Sequence, residues 1–142
     1  MLGLMRRSVP LPVCALLLAL SACQPAPSPL SDAAIAVRDA PPEHHFRGAL
    51  GGTPVELLVQ DCKVFKVVRG TGQTLSLAEV LAPAPYPFFT ACQRQSLRQE
   101  DDAVVAVLGR MALGAGGCCA TGGTWRTRNG QAWEKTSEQA VP

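Results

Sequence analysis

Six cysteines and two adjacent histidines are the side chains of this 142-residue chain best suited to chemistry. Thiols form disulfides, exchange electrons or bind soft metals, and imidazole is a common ligand of zinc and copper. No two of the cysteines have the C-x-x-C spacing that is typical of zinc and redox sites. The residues are Cys14, Cys23, Cys62, Cys92, Cys118, Cys119, His44 and His45. Their roles depend on the segments in which they lie.

Cys14 lies in a segment, residues 1–22, that has the organisation of a secretory signal peptide. Arg6 and Arg7 form a short positive region, which precedes the apolar run Val13–Leu20. This run is too short to cross a hydrocarbon core of ~30 Å as a helix. Residues 1–22 are therefore predicted to direct export and to be removed.

Cys23 completes a short motif at the end of this segment. The sequence Leu20-Ser21-Ala22-Cys23 resembles the lipobox of bacterial lipoproteins, in which small residues precede a cysteine. The resemblance implies that the Cys23 thiol receives a diacylglyceryl group, that cleavage makes Cys23 N-terminal, and that its amino group is acylated, with palmitate as a typical chain. Each buried methylene contributes roughly 0.8 kcal/mol, so two or three acyl chains would hold the protein stably on a membrane.

The residue after the motif bears on the location of the protein. In enteric-type Gram-negative bacteria, Asp at this place retains a lipoprotein in the inner membrane, whereas this chain has Gln24. The resemblance therefore implies export to the inner leaflet of the outer membrane, facing the periplasm. In a Gram-positive organism this sorting rule would not apply.

Removal of residues 1–22 changes the charge of the chain. The full chain has 13 basic and 11 acidic side chains, and the removed segment contains two arginines and no acidic residue. The mature chain therefore carries no formal net charge. No strongly basic patch argues for a nucleic acid partner, and no acidic field argues for a cationic one.

The mature chain divides into three predicted parts. Residues 23–43 comprise the lipidated cysteine and a Pro/Ala-rich tether, because prolines interrupt the apolar pattern there. Residues 44–135 are expected to fold as one small β-rich domain. Residues 136–142 are expected to form a flexible tail.

Apolar runs with strand character dominate residues 44–135. They are rich in Val, Leu and Phe and are separated by turn residues. Ser76-Leu77-Ala78-Glu79 has the form of a capping box and predicts one short helix that ends before Pro83. The sequence therefore predicts a mainly β fold, a small antiparallel barrel or OB-like domain stabilised by disulfides. The runs are His44–Leu50, Val55–Val59, Lys63–Val68 and Ala103–Arg110, and the composition of Phe88–Gln95 favours a further strand.

Asn129-Gly130, near the C-terminus, indicates a tight hairpin turn. A two-residue loop would place Arg126 opposite Trp133, where the two side chains could form a cation–π pair. A three-residue loop would instead pair Trp125 with Trp133. The sequence leaves both registers open.

Four cysteines, Cys62, Cys92, Cys118 and Cys119, are left for the exported domain. An even number of thiols in an oxidising compartment predicts two disulfides. Adjacent Cα atoms lie 3.80 Å apart across a trans peptide, below the usual disulfide range of ~4.4–6.8 Å. Cys118 and Cys119 are therefore each predicted to pair with a distant cysteine, one with Cys62 and the other with Cys92, in an order that the sequence leaves open.

A soft-metal or redox site built from Cys118 and Cys119, with His44 and His45, is the alternative. Side chains at neighbouring positions of a strand point to opposite faces, so neither pair converges on a ligand unless its backbone bends. Structural disulfides are therefore favoured, and neither a metal ion nor another cofactor is expected.

Enzymatic activity is not expected. The chain has no G-x-S-x-G motif, and its only histidines, His44 and His45, lie at the edge of the predicted domain. Neighbouring carboxylates occur only at Glu100-Asp101-Asp102, a typical turn. No nucleophile, base and orienting group are therefore predicted to meet.

Together these observations predict a membrane-anchored envelope lipoprotein with a non-catalytic binding or structural role in the periplasm. Its expected partners are the membrane, through the lipid on Cys23, and an unidentified envelope protein. Nucleic acid is not an expected partner. The alternative is a metal-handling or stress-sensing lipoprotein that uses Cys118 and Cys119 with His44 and His45 for copper or zinc.

Overall fold

A computed structural model describes residues 30–114 and 117–141 of the chain. The predicted signal peptide, the lipobox and Cys23 lie outside the described residues. The described part contains one α-helix, eight β-strands and two short 3-10 turns, at Pro42–His44 and Thr71–Gln73. The elements are α1 (Asp32–Asp39), β1 (His45–Leu50), β2 (Thr53–Gln60), β3 (Lys63–Arg69), β4 (Leu75–Leu81), β5 (Thr90–Glu100), β6 (Ala103–Ala112), β7 (Thr121–Thr127) and β8 (Glu134–Ser137).

The strands form two antiparallel sheets, each made of four strands in sequence order. The first sheet has the order β1-β2-β3-β4 and the second β5-β6-β7-β8. The predictions of a mainly β, disulfide-stabilised domain with one short helix are confirmed. The strands of the described residues do not close into a barrel, however. Pro83, Pro85 and Pro87 lie between β4 and β5, and because proline lacks the N–H that a ladder needs, pairing stops there.

One apolar core lies between the two sheets. Alternate residues of β2 face it from the first sheet, and the central strand β6 faces it from the second. Residues 103–109 of β6 are all buried, as the apolar run there predicts. The shared core therefore joins the two sheets into one unit. Its buried members are Phe46, Leu50, Val55, Leu57, Val59, Val64, Leu97, Val104, Ala106, Leu108 and Trp125.

The prediction of a helix at Ser76-Leu77-Ala78-Glu79 is wrong, because these residues lie in strand β4. Half-buried Leu75 and Leu77 alternate with exposed neighbours, which is the period of a strand, and β4 pairs along its length with β3. The helix of the structure is α1, inside the predicted tether. Ser31 caps it, because its Oγ accepts a hydrogen bond of 3.2 Å from the N–H of Ala34.

The folded domain is longer than residues 44–135 at both ends. Helix α1 contacts β4, so the segment from Asp32 onward belongs to the domain rather than to a tether. At the other end, β8 extends to Ser137 and Ala140 is buried. The carbonyl oxygen of Ala140 accepts a hydrogen bond of 2.7 Å from Arg94. The segment expected to be a flexible tail therefore packs on the second sheet.

The C-terminal hairpin has neither of the two predicted registers. Strands β7 and β8 pair Trp125 with Lys135, and the loop is longer than either turn considered. The Asn129 side chain accepts hydrogen bonds from two backbone N–H groups of the loop, and the Thr127 hydroxyl accepts one from Gly130 N–H over 2.9 Å. These side chains replace the ladder bonds of a tight turn. The cation–π pair is formed by Lys135 and Trp125 rather than by Arg126 and Trp133. Nζ of Lys135 lies 5.3 Å from the centre of the Trp125 ring.

Candidate functional site

Cys62 and Cys92 form a disulfide with each other, with Cα atoms 5.4 Å apart. The prediction that each pairs with Cys118 or Cys119 is wrong. Cys62 lies in the turn between β2 and β3, where Asp61 and Cys62 have φ of +49° and +55°. Left-handed backbone at both positions is typical of a tight hairpin turn. The turn projects onto β5, which carries Cys92, so the bond joins the two sheets.

Polar contacts hold the same turn on the second sheet. The N–H of Cys62 donates to the side-chain oxygen of Gln95 over 2.9 Å. Arg110, on β6, donates to the carbonyl oxygen of Asp61 over 2.8 Å and to the hydroxyl of Thr90 over 3.0 Å. The disulfide is therefore one part of a larger contact that fixes the end of the first sheet against the start of β5.

Cys118 and Cys119 pair with each other, which overturns the prediction that adjacent cysteines do not form a bridge here. Their sulfurs lie over Gly109, on β6. A Cβ at Gly109 would lie only 3.1 Å from Sγ of Cys118 and 3.0 Å from Cβ of Ala140. The missing side chain of Gly109 therefore makes room for the cysteine pair and for the C-terminal segment.

The histidines and the cysteine pair, which form the alternative metal site, do not meet. Nε2 of His45 lies 3.0 Å from Oε1 of Glu56 on the first sheet, whereas Cys118 and Cys119 pack on the second. His44 lines a different cleft, beside α1. In residues 30–114 and 117–141, no three His, Cys, Asp or Glu side chains are grouped to hold a metal ion. The structure therefore gives no support to the four-residue site.

Glu56 is a buried carboxylate on β2, only 8% exposed. Arg69 donates to both of its oxygens, at 2.7 to 3.0 Å, and His45 approaches Oε1. Burial opposes ionisation of Glu56, but the hydrogen bonds from Arg69 and His45 outweigh it. The pKa of Glu56 therefore lies below its ordinary value of 4.5.

The depressed pKa of Glu56 predicts a loss of stability in acid. Between the folded and unfolded pKa values the unfolded chain binds more protons, so the contribution of Glu56 is complete above about 4.5 and disappears as pH falls through the folded pKa. Urea unfolding between pH 3 and 6 should show a smaller decrease for Glu56→Gln than for the wild type. Glu79→Gln, which changes a half-exposed partner of Lys63, is the matched control and should keep the wild-type decrease. Equal profiles for Glu56→Gln and the wild type would contradict this assignment.

The segment that links the two sheets, residues 82–89, carries exposed aromatic side chains. Phe88 is 71% exposed and Phe89 87% exposed. Tyr86 packs edge to face against Phe88, with ring centroids 5.9 Å apart. The only Tyr and two of the four Phe of the chain lie here, whereas large apolar side chains are usually buried. This concentration marks a candidate interaction surface.

Leu113, in the connection between β6 and β7, extends this surface. Its N–H donates to the carbonyl oxygen of Phe89 over 3.0 Å, and its side chain is 60% exposed. The surrounding sequence, residues 80–93 and 111–125, contains no Asp, Glu, Lys or Arg. We call the surface formed by residues 82–89 and Leu113 the apolar end.

The apolar end is not predicted from the sequence, because the composition of Phe88–Gln95 favours a strand there. In the structure β5 begins at Thr90, and the two phenylalanines precede it. The signal that identifies them is the alternation of Pro83, Pro85 and Pro87 with other residues in a segment without charge. Such a segment cannot extend a ladder, so its aromatic side chains are available for contacts.

The two-sheet fold and the apolar end define the class of this protein, a small disulfide-stabilised β domain with an exposed apolar surface. Comparisons with protein families, with curated proteins and with solved structures find no match to this chain. In the part of the chain that the structure describes, no helix is both long and apolar enough to cross a membrane.

Proposed function

We propose that this protein is a membrane-anchored envelope lipoprotein with a non-catalytic binding role in the periplasm. The anchor is the lipid on Cys23, and the binding surface is the apolar end of the β domain. The lipid anchor lies in the inner leaflet of the outer membrane, and the domain faces the periplasm. Residues 1–22 serve only export and are absent from the mature protein.

Support for the anchor comes from the sequence around Cys23. The segment has the order of a lipoprotein signal: a positive region, then a short apolar run, then Leu20-Ser21-Ala22-Cys23. Gln24, in the place where Asp retains lipoproteins in the inner membrane, supports the outer-membrane location. The folded domain begins soon afterwards, at Asp32, which keeps the domain close to its anchor.

The observation that carries the binding role is the exposure of Phe88 and Phe89 in an uncharged segment. An exposed apolar surface has a free-energy cost in water that association removes. The segment that displays the two rings is held at both ends, by β4 and by β5 with its disulfide at Cys92. A surface held in this way requires little ordering on binding, which favours affinity.

Metal handling through Cys118 and Cys119 with His44 and His45 has no observation of its own in its favour. His45 contacts Glu56, and the cysteines pack over Gly109 on the other sheet. Catalysis likewise has no supporting arrangement in the sequence. The proposal is therefore restricted to a binding role.

Palmitate labelling tests the anchor. Cells that express the wild type should incorporate labelled palmitate into the protein, and the protein should sediment with membranes. Cys23→Ser should abolish the labelling and release the protein from the membrane fraction, because the thiol that accepts the lipid is lost. Cys14→Ser is the matched control, since Cys14 lies in the discarded segment, and it should keep full labelling.

Persistent labelling of Cys23→Ser, or equal loss in both cysteine variants, would refute the anchor. Sucrose-gradient separation of the two membranes then tests the location. The wild type should band with the outer membrane, and Gln24→Asp should move it to the inner membrane. Inner-membrane banding of the wild type would contradict the proposed location.

A further inference from the structure

The exposed rings of the apolar end protrude from the domain on a stiff segment. Pro83, Pro85 and Pro87 each fix their backbone φ, which limits the conformations of the segment. Phe88 is supported by Tyr86, and Phe89 is tied to the neighbouring connection by the hydrogen bond from Leu113. Protruding apolar side chains on a stiff support are suited to insertion into another apolar phase.

The charges nearest to the apolar end are already paired. Lys63 and Arg110 line a cleft of about 350 Å³ beneath Pro85 and Tyr86. Nζ of Lys63 lies 2.8 Å from a carboxylate oxygen of Glu79, and Arg110 lies 3.6 Å from a carboxylate oxygen of Asp61. Lys135 and Glu138, which line a second cleft with Ala84, are paired with each other. Insertion of the end would therefore bury no unpaired charge, which is the costliest step for a protein surface that enters lipid.

The distance to the anchor places a lipid surface within reach. On the proposed function, Cys23 is lipidated, and only nine residue steps separate it from Asp32, where α1 begins. Nine residues span at most ~32 Å when fully extended. The domain therefore stays beside the bilayer at a high effective concentration, so that even a weak contact with lipid is populated.

We propose that the apolar end docks on the phospholipid leaflet that holds the anchor, with Phe88, Phe89 and Leu113 inserted among the acyl chains. Tyr86 lies at the level of the headgroups, where its ring and hydroxyl meet both environments. The docking rests on the proposed lipid anchor and deepens it, since it gives the anchored domain a fixed orientation on the membrane. Because the end is uncharged, its docking is insensitive to salt.

Fluorescence quenching in anchored protein tests this docking. Protein carrying Phe89→Trp is purified with its lipid and reconstituted in vesicles of phosphatidylethanolamine and phosphatidylglycerol whose acyl chains are brominated. The fluorescence emission of the introduced tryptophan should be blue-shifted and quenched, and 0.5 M salt should leave the quenching unchanged. Val68→Trp is the matched control, because Val68 is 42% exposed on β3, outside the apolar end, and its added emission should not be quenched.

Vesicle sedimentation of the unlipidated mature chain, which carries Cys23→Ser, measures the same contact without the anchor. Phe88→Ser and Phe89→Ser should each lower its partition coefficient by roughly ten- to hundredfold, the range expected for one aromatic ring. Val68→Ser and Val141→Ser remove exposed apolar side chains elsewhere and should leave partitioning unchanged. Urea midpoints equal to that of the parent chain would establish that the serine variants are folded.

Three results would overturn the docking: unquenched emission from Phe89→Trp, serine variants that partition like the parent chain, or binding that 0.5 M salt abolishes. Unquenched emission together with reproducible photo-crosslinking of position 89 to one envelope protein would assign the apolar end to a protein partner instead. A protein that is labelled by palmitate but shows no quenching would refute only the docking. A wild-type protein that is not labelled by palmitate but still binds vesicles would refute only the anchor.

Discussion

Cys62→Ala/Cys92→Ala should lower the free energy of unfolding by about 3.5 kcal/mol. The two cysteines are 30 residues apart in sequence, and the chain-entropy model gives this value for a crosslink that closes a loop of that length. The loss is large for a small domain, whose total stability is on the order of 5–15 kcal/mol. Urea unfolding followed by circular dichroism measures it, and reduced wild-type protein should unfold at a similarly lowered midpoint.

The other cysteine pair provides the control for this prediction. Cys118→Ala/Cys119→Ala removes as many sulfurs but opens no loop between distant residues, so the entropy of the unfolded chain changes little. Its urea midpoint should remain close to that of the wild type. A larger loss in this variant than in Cys62→Ala/Cys92→Ala would show that stability depends on the packing over Gly109 rather than on the bond between the sheets.

Gly122→Ala should lower the free energy of unfolding by about 3 kcal/mol or more. Gly122 has φ of +144° in β7, a conformation that is almost restricted to glycine. A Cβ there would collide with the carbonyl oxygen of Leu108 and would lie 2.9 Å from Cα of Gly109, both backbone atoms of the paired strand. Because backbone of the central strand cannot move aside cheaply, the ladder between β6 and β7 must open.

Gly72→Ala separates this collision from the cost of positive φ alone. Gly72 has φ of +66°, and a Cβ there would meet nothing within 4 Å. Its replacement should cost only about 1–2 kcal/mol, the usual penalty of the left-handed region for a residue with a side chain. Thermal or urea unfolding compares the two variants. Equal losses would mean that the close approach of β6 and β7 has no energetic consequence.

The strands of the domain were predictable because they are encoded locally. Alternating or continuous apolar runs such as Val55–Val59 and Ala103–Arg110 lie within β2 and β6, and the two-residue turns next to them are Gly-Gly, Asp-Cys and Asp-Asp. The capping-box pattern at Ser76–Glu79 was misleading because it overlaps residues 75–78, which alternate with the period of a strand. Pairing with β3, a contact that no local pattern shows, decides between the two structures.

The cysteine pairing was not predictable for a different reason. Cys62 and Cys92 are bridged residues, as predicted, but the Cα distance between Cys118 and Cys119 across a trans peptide carries no information about which distant sulfurs meet. Which sulfurs meet depends on the position of the β2–β3 turn relative to β5, and that position is set by the packing of two sheets. The apolar end depends on the same packing, since Leu113 joins Phe89 only after the sheets have assembled.

The order of the strands has a consequence for proteolysis. Each sheet is contiguous in sequence, and within residues 30–114 and 117–141 the segment 82–89 is the one backbone crossing between them. A protease that cuts after Phe88 or Phe89 would therefore divide the chain into two halves without breaking any strand pair. The halves would remain one covalent molecule through Cys62 and Cys92, and the cut would become visible on a gel only after a reducing agent is added.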